Sequence, residues 1–118
     1  ATQFQGDLAG GLGLSADILR QSQTWETAWH KGFVVGATYP QVLAVARALA
    51  PAANFLIAGI GSQCGNLEAA VRYGPDEVAG PVISASRSII YADMSGDFAA
   101  AARGAADGLR RQINGLRE

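Results

Sequence analysis

The 118-residue chain is 49% hydrophobic and 16% charged, with nine Lys plus Arg against ten Asp plus Glu and a formal net charge of -1. That composition fits one globular domain at most, and no basic cluster offers a groove to nucleic acid. Apolar runs such as 54–60 fall far short of the roughly 18 to 20 residues of a membrane span, the lone Cys64 excludes an internal disulfide, and one Cys with one His cannot build a zinc site. A cytoplasmic protein is expected, with no membrane partner and no metal.

Residues 1–13 hold four glycines among small polar residues, with so little to bury that a flexible loop segment is expected. Ordered structure is expected over 14–118. Ser15 is a good N-cap, and Ile18, Ser22, Trp25 and Trp29 recur at helical spacing, predicting one amphipathic helix that ends near 30–32. Phe33-Val34-Val35 between glycines is a continuous apolar run that predicts a strand buried on both faces. Thr38 and Pro40 open a second helix, striped by Val42, Val45, Ala46 and Leu49 and stopped by Pro51. The unit recurs: a strand over 54–58, a glycine-rich loop over 59–65, a helix over 66–73 ended by Gly74-Pro75. A third strand is expected over 81–85, then a tight turn or short helix over 86–91. Asp97 caps a last helix with Phe98, Ala102, Ala105, Leu109, Ile113 and Leu116 on one face.

The order αβαβαβα predicts an α/β fold with a parallel sheet, because parallel neighbours need crossover connections and helices usually supply them. Three strands cannot close a barrel, and a full eight-stranded one takes about 250 residues. The chain is therefore expected to fold against another piece of polypeptide, either the missing first half or a second copy of itself.

Two loops carry chemistry. In Ala58-Gly59-Ile60-Gly61-Ser62-Gln63-Cys64-Gly65, closely spaced glycines would let backbone N–H groups approach an anion. The alternative is a plain strand-to-helix turn. A dinucleotide fingerprint is disfavoured, since the spacing is GxGxxxG and Ser84 to Ser86 stand where an acidic residue should end the next strand. In Ser84-Ala85-Ser86-Arg87-Ser88, arginine suits bidentate phosphate recognition and emerges at the same end of the sheet. Together they would clamp one phosphate, in the position that loops after strands 7 and 8 of a β/α barrel often take.

Three ordered motifs, Val34-Val35-Gly36-Ala37-Thr38-Tyr39-Pro40, Leu56-Ile57-Ala58-Gly59-Ile60-Gly61-Ser62-Gln63 and Ser86-Arg87-Ser88-Ile89-Ile90-Tyr91, together resemble the C-terminal half of orotidine 5'-phosphate decarboxylases. Residues 1–5 resemble the stretch just beyond that family's strand-5 loop. The resemblance implies the C-terminal portion, about strands 6 to 8 with helices, of a (β/α)8 TIM barrel. It also implies a lyase forming uridine 5'-phosphate and CO2 in pyrimidine biosynthesis, no cofactor, a nucleotide substrate and a homodimer. Gln63 matches the glutamine that reaches phosphate and pyrimidine, and Arg87 the arginine that pairs with phosphate. Gly61, Ser62, Ser86 and Ala58 complete the substrate-binding set. Ala58 stands where the family usually has proline, and Cys64 where it has glycine.

The family's Asp-x-Lys-x-x-Asp motif, whose lysine protonates the carbanion left by decarboxylation, is absent from this sequence. The sole lysine, Lys31, precedes a strand at the stability face of a barrel and is read as a solvated surface residue. No catalytic residue is assigned to this chain. That role is expected of the N-terminal half. His30 is read as a helix-terminal cation, Cys64 as a loop residue, Asp76 and Glu77 as a solvated turn, and the tryptophans as packing anchors. The alternative function is a non-catalytic phosphate-binding half-barrel that self-assembles.

Overall fold

A computed structural model describes residues 13–28, 30–61 and 66–118. The elements are α1 (Gly13–Ser22), β1 (Gly32–Gly36), α2 (Pro40–Leu49), β2 (Asn54–Ala58), α3 (Leu67–Tyr73), β3 (Val82–Ile83), α4 (Arg87–Ile90) and α5 (Phe98–Leu116). The strands form one parallel sheet in the order β1-β2-β3, with Val34 opposite Leu56 and Leu56 opposite Val82. This is the expected alternation of strand and helix. The expected loop at the N-terminus falls almost wholly outside the described residues, as does Trp29.

Helices cover one face of the sheet. Val35, Phe55 and Ile57 point into it and are buried with Val42, Leu43 and Ala46 of α2 and Ala69 and Ala70 of α3. Phe33 meets Phe55 edge to face, with centroids 6.5 Å apart. The opposite face differs from the expectation of strands buried on both sides: Val34, Leu56 and Val82, one row across the sheet, are 72%, 38% and 62% exposed. In a closed β/α barrel this face turns inward and is filled by side chains of the other strands. With three strands, nothing among the described residues fills it.

Helix ends explain most of the boundaries. Pro40 sits in the first turn of α2, where its missing N–H costs nothing. The helix is entered from Tyr39, and Thr38 does not cap it. Asn66 caps α3 by accepting from the Ala69 N–H at 2.9 Å, and Asp97 caps α5 by accepting from Ala100 at 3.1 Å. Gly74 ends α3 where a Cβ would stand 2.6 Å from Pro81 Cγ and 2.8 Å from Ile57 Cδ1, so only glycine lets that chain pass. Along α5 only part of the predicted stripe is used: Leu109 packs on the core, whereas Phe98 is 70% exposed.

The first helix departs most from expectation. It begins at Gly13, ahead of Ser15, and stops at Ser22, leaving Ile18 and Trp25 exposed. The Ser22 hydroxyl turns back to the Leu19 carbonyl at 2.7 Å, and the Thr24 hydroxyl to Gln21 at 2.7 Å, side-chain bonds that compete with helix continuation. Lys31 then donates to the carbonyls of Ser22 at 2.6 Å and Trp25 at 3.1 Å. Lys31 is thus a half-buried cap for α1, correcting its reading as a freely solvated residue. His30 is no helix terminus either; its Nε2 stands 2.8 Å from the Ala52 carbonyl.

Candidate phosphate-binding site

Parallel strands bring the three strand-to-helix loops to the C-terminal end of the sheet, and main-chain bonds tie them together there. The Ala37 N–H donates to the Ala58 carbonyl at 2.9 Å, and the Asn66 N–H donates to the Ala37 carbonyl at 3.0 Å. Ser84 donates to Ile57 at 2.9 Å. The loop after β1 therefore holds both the exit of β2 and the entry of α3, and the start of the third loop is bound to β2.

After β2 the chain turns on glycines. Gly59 and Gly61 both have φ of +88°, the left-handed region in which a side chain is strained. Between them Ile60 is 6% exposed and anchors the root of the loop in the core. Gly61 itself is exposed. A Cβ on it would lie 2.8 Å from Ser88 Oγ and 3.0 Å from Ser88 Cβ, so the loops after β2 and β3 are in direct contact. A cavity of about 500 Å³ lies behind this contact, between Ile60, Ser88, Ile89, Leu109 and Gln112.

After β3, Ser86 precedes the single turn of α4, whose Ile90 N–H donates back to the Ser86 carbonyl at 2.8 Å. Arg87 is the first residue of that turn. It is exposed, and its guanidinium has neither hydrogen bond nor ion pair among the described residues. Ala58, Gly61, Ser86 and Arg87 thus stand at one end of the sheet. Ser62 and Gln63, like Cys64, lie outside the described residues.

The chemistry of this end is restricted. The loops 36–40, 59–66 and 84–88 contain no carboxylate, histidine or lysine. Carboxylates perturbed among the described residues lie elsewhere: backbone N–H groups of Ala79 and Val78 hold Asp76 below the usual carboxylate range, and Ser95 does the same for Asp93. What this end offers is a guanidinium fork and backbone donors, chemistry suited to an anion.

Sequence reasoning quotes Ser88 within a motif but assigns it no role. Arg47 was missed. Its guanidinium lies 3.9 Å from the centroid of the Phe55 ring and donates to the carbonyls of Ala50 at 3.0 Å, Ala53 at 2.7 Å and Gly74. It binds the ends of α2 and α3 at the opposite end of the sheet.

Fold and loop placement thus define a portion of a parallel β/α barrel. Over most of its length the chain is similar to orotidine 5'-phosphate decarboxylases. It is 43% identical over 105 residues to that enzyme of Porphyromonas gingivalis, covering 89% of this chain and 38% of the relative. With the Paracidovorax citrulli enzyme the identity is 47% over 104 residues, covering 85% and 37%. The structure of Leishmania donovani OMP decarboxylase superposes with a TM-score of 0.76 at 32% identity, covering 98% of this chain and 43% of that one. No family model matches. The chain therefore spans less than half the length of the relatives it matches.

Proposed function

We propose that this chain is the C-terminal portion, about strands 6 to 8, of an orotidine 5'-phosphate decarboxylase barrel, in which it grips the substrate's 5'-phosphate. The observation that carries the reading is Arg87: a guanidinium without a protein partner among the described residues, at the end of the sheet where glycine loops offer backbone donors, in a chain similar to decarboxylases over 89% of its length. Arg87 forms a charged fork to phosphate oxygens, the backbone from Gly61 and Ser62 approaches them, and Gln63 adds a neutral donor. Ser86 and Ala58 stand at the same end of the sheet.

A phosphate grip acts at a distance from the scissile bond. Its binding energy holds the nucleotide in register and offsets the cost of ordering and desolvating the reacting carboxylate, so it lowers the barrier without moving a proton. Lys31 supplies no proton to the substrate: it lies before β1, at the other end of the sheet, bonded to two carbonyls. The lysine and aspartates of the reaction come from the complementary half, which also fills the open row Val34, Leu56 and Val82. The complete protein works as a cytoplasmic homodimer without metal or cofactor. The open sheet face also fits a second reading, in which two copies of this chain close on each other as a non-catalytic phosphate binder.

The test is the chain alone, then with the complementary half, assayed for CO2 release from orotidine 5'-phosphate. Turnover only in the assembled protein is expected, and turnover by the chain alone would refute the assignment. In the assembly, Arg87→Ala should cost about 2 to 5 kcal/mol of transition-state stabilisation and Gln63→Ala about 1 to 3 kcal/mol. Both losses should shrink on the dephosphorylated nucleoside, and equal losses would remove the phosphate role.

A further inference from the structure

We propose that Ser88 is a positioning residue, a seat on which Gly61 rests, fixing the separation between the root of the glycine loop and Arg87; this rests on the phosphate-grip reading above. The geometry has three parts. Ile60 is buried and immobilises the loop root from below. Ser88 follows Arg87 directly in the single turn of α4, which is held by Ile90 and Tyr91 N–H bonds to the Ser86 and Arg87 carbonyls at 2.8 and 3.0 Å. Between these two fixed points, the Gly61 Cα meets the Ser88 side chain so closely that an added Cβ would be 2.8 Å from Oγ and 3.0 Å from Cβ.

Glycine at 61 therefore answers two separable demands. One is the φ of +88°, which any L-residue resists. The other is the Ser88 side chain, which any Cβ would displace. The Ser88 hydroxyl has no hydrogen bond among the described residues, so the side chain acts through its volume. A side chain at 61 would push the loop away from α4 and spread the donors that converge on one anion, whereas an enlarged residue 88 would do the same from the other side.

The experiment uses the assembled protein and measures the Kd of uridine 5'-phosphate against that of uridine. Gly61→Ala should weaken the phosphate-bearing ligand selectively. Ser88→Gly in that background should recover about five-fold or more, in the range of coupling between residues in contact, with the φ strain left unrelieved. Ser88→Ala, which keeps the Cβ of the seat, should weaken uridine 5'-phosphate less than Ser88→Thr, which should weaken it selectively while leaving the melting temperature near that of the parent. Additive effects of Gly61→Ala and Ser88→Gly, or equal affinities of the Ser88→Ala and Ser88→Thr proteins, would overturn the seat. Loss of the phosphate preference in Arg87→Ala, with additive effects at 61 and 88, would refute the seat alone. A parent that binds uridine and uridine 5'-phosphate equally would refute the phosphate grip itself, and the seat is then judged by whether the parent, Gly61→Ala, Ser88→Gly and the double variant show coupled urea midpoints. Should Gly61→Ala not fold, the Thr and Ala pair at 88 decides.

Discussion

Replacing Arg47 by Met should destabilise the assembled protein by about 2 to 4 kcal/mol, which makes this half-buried cation a structural clamp. Its Nη1 donates to the Ala50 carbonyl at 3.0 Å and to Ala53 at 2.7 Å, and Nη2 donates to Gly74, joining the end of α2, the approach to β2 and the end of α3. Bonds from a charged donor contribute roughly 1.5 to 3 kcal/mol net, and the contact with Phe55 about 1 kcal/mol more. Opposing these, burial draws the Arg47 pKa below its ordinary value, with Asp76 partly restoring it, and the buried Nε has no partner. Methionine keeps most of the aliphatic packing, so the loss reports the polar contacts. Urea denaturation is the assay, with an unchanged m-value confirming that only stability moved. Arg47→Lys keeps the charge without the fork and should recover less than half of the loss. A change in Arg47→Met within about 0.5 kcal/mol, typical of an ordinary surface substitution, would refute the clamp.

Other outcomes follow from single residues. Asp76 has a folded-state pKa below the ordinary 3.8, so the stability it adds is present above that pH and is lost as pH falls through the depressed value; Asp76→Asn should flatten the acid limb of a pH-stability profile. Asn66→Ala removes the cap of α3 and should cost about 1 kcal/mol by urea titration, with Asn66→Ser nearly neutral. Polar substitution at Val34 and Val82, which are 72% and 62% exposed here, should reduce self-association of the isolated chain in sedimentation and also weaken its assembly with the complementary half.

Periodicity and punctuation made the alternation of strands and helices legible, because glycines and prolines at 36, 40, 51, 59, 61, 74 and 75 fall where the backbone changes direction. The end of α1 was not legible: Trp25 continues the helical spacing, but the chain is released by local hydroxyl bonds and a lysine nine residues beyond Ser22. Nor does an apolar triplet such as Phe33-Val34-Val35 tell whether both faces are covered, since cover depends on strands that the triplet does not contain. The position of Arg87 at the C-terminal end of the sheet was legible, because the strand before it and the turn that it opens both show in the sequence. The role proposed for Ser88 was not, since its effect arises from a contact across two loops.

The two ends of the sheet spend their cations differently, and that contrast supports the functional reading. At the N-terminal end, Lys31 and Arg47 both donate to main-chain carbonyls, those of Ser22 and Trp25 and those of Ala50, Ala53 and Gly74. His30 stands beside the Ala52 carbonyl. These groups satisfy helix-terminal acceptors that burial would otherwise leave costly, and in doing so they leave nothing to offer a ligand. At the C-terminal end the loops are bound by their own backbone, Ala37 to Ala58, Asn66 to Ala37 and Ser84 to Ile57, with no cation used as mortar among the described residues. Arg87 can therefore remain exposed without weakening the fold. A positive charge that stability does not require, beside loop roots tied together by main-chain bonds, is what the proposed phosphate grip needs.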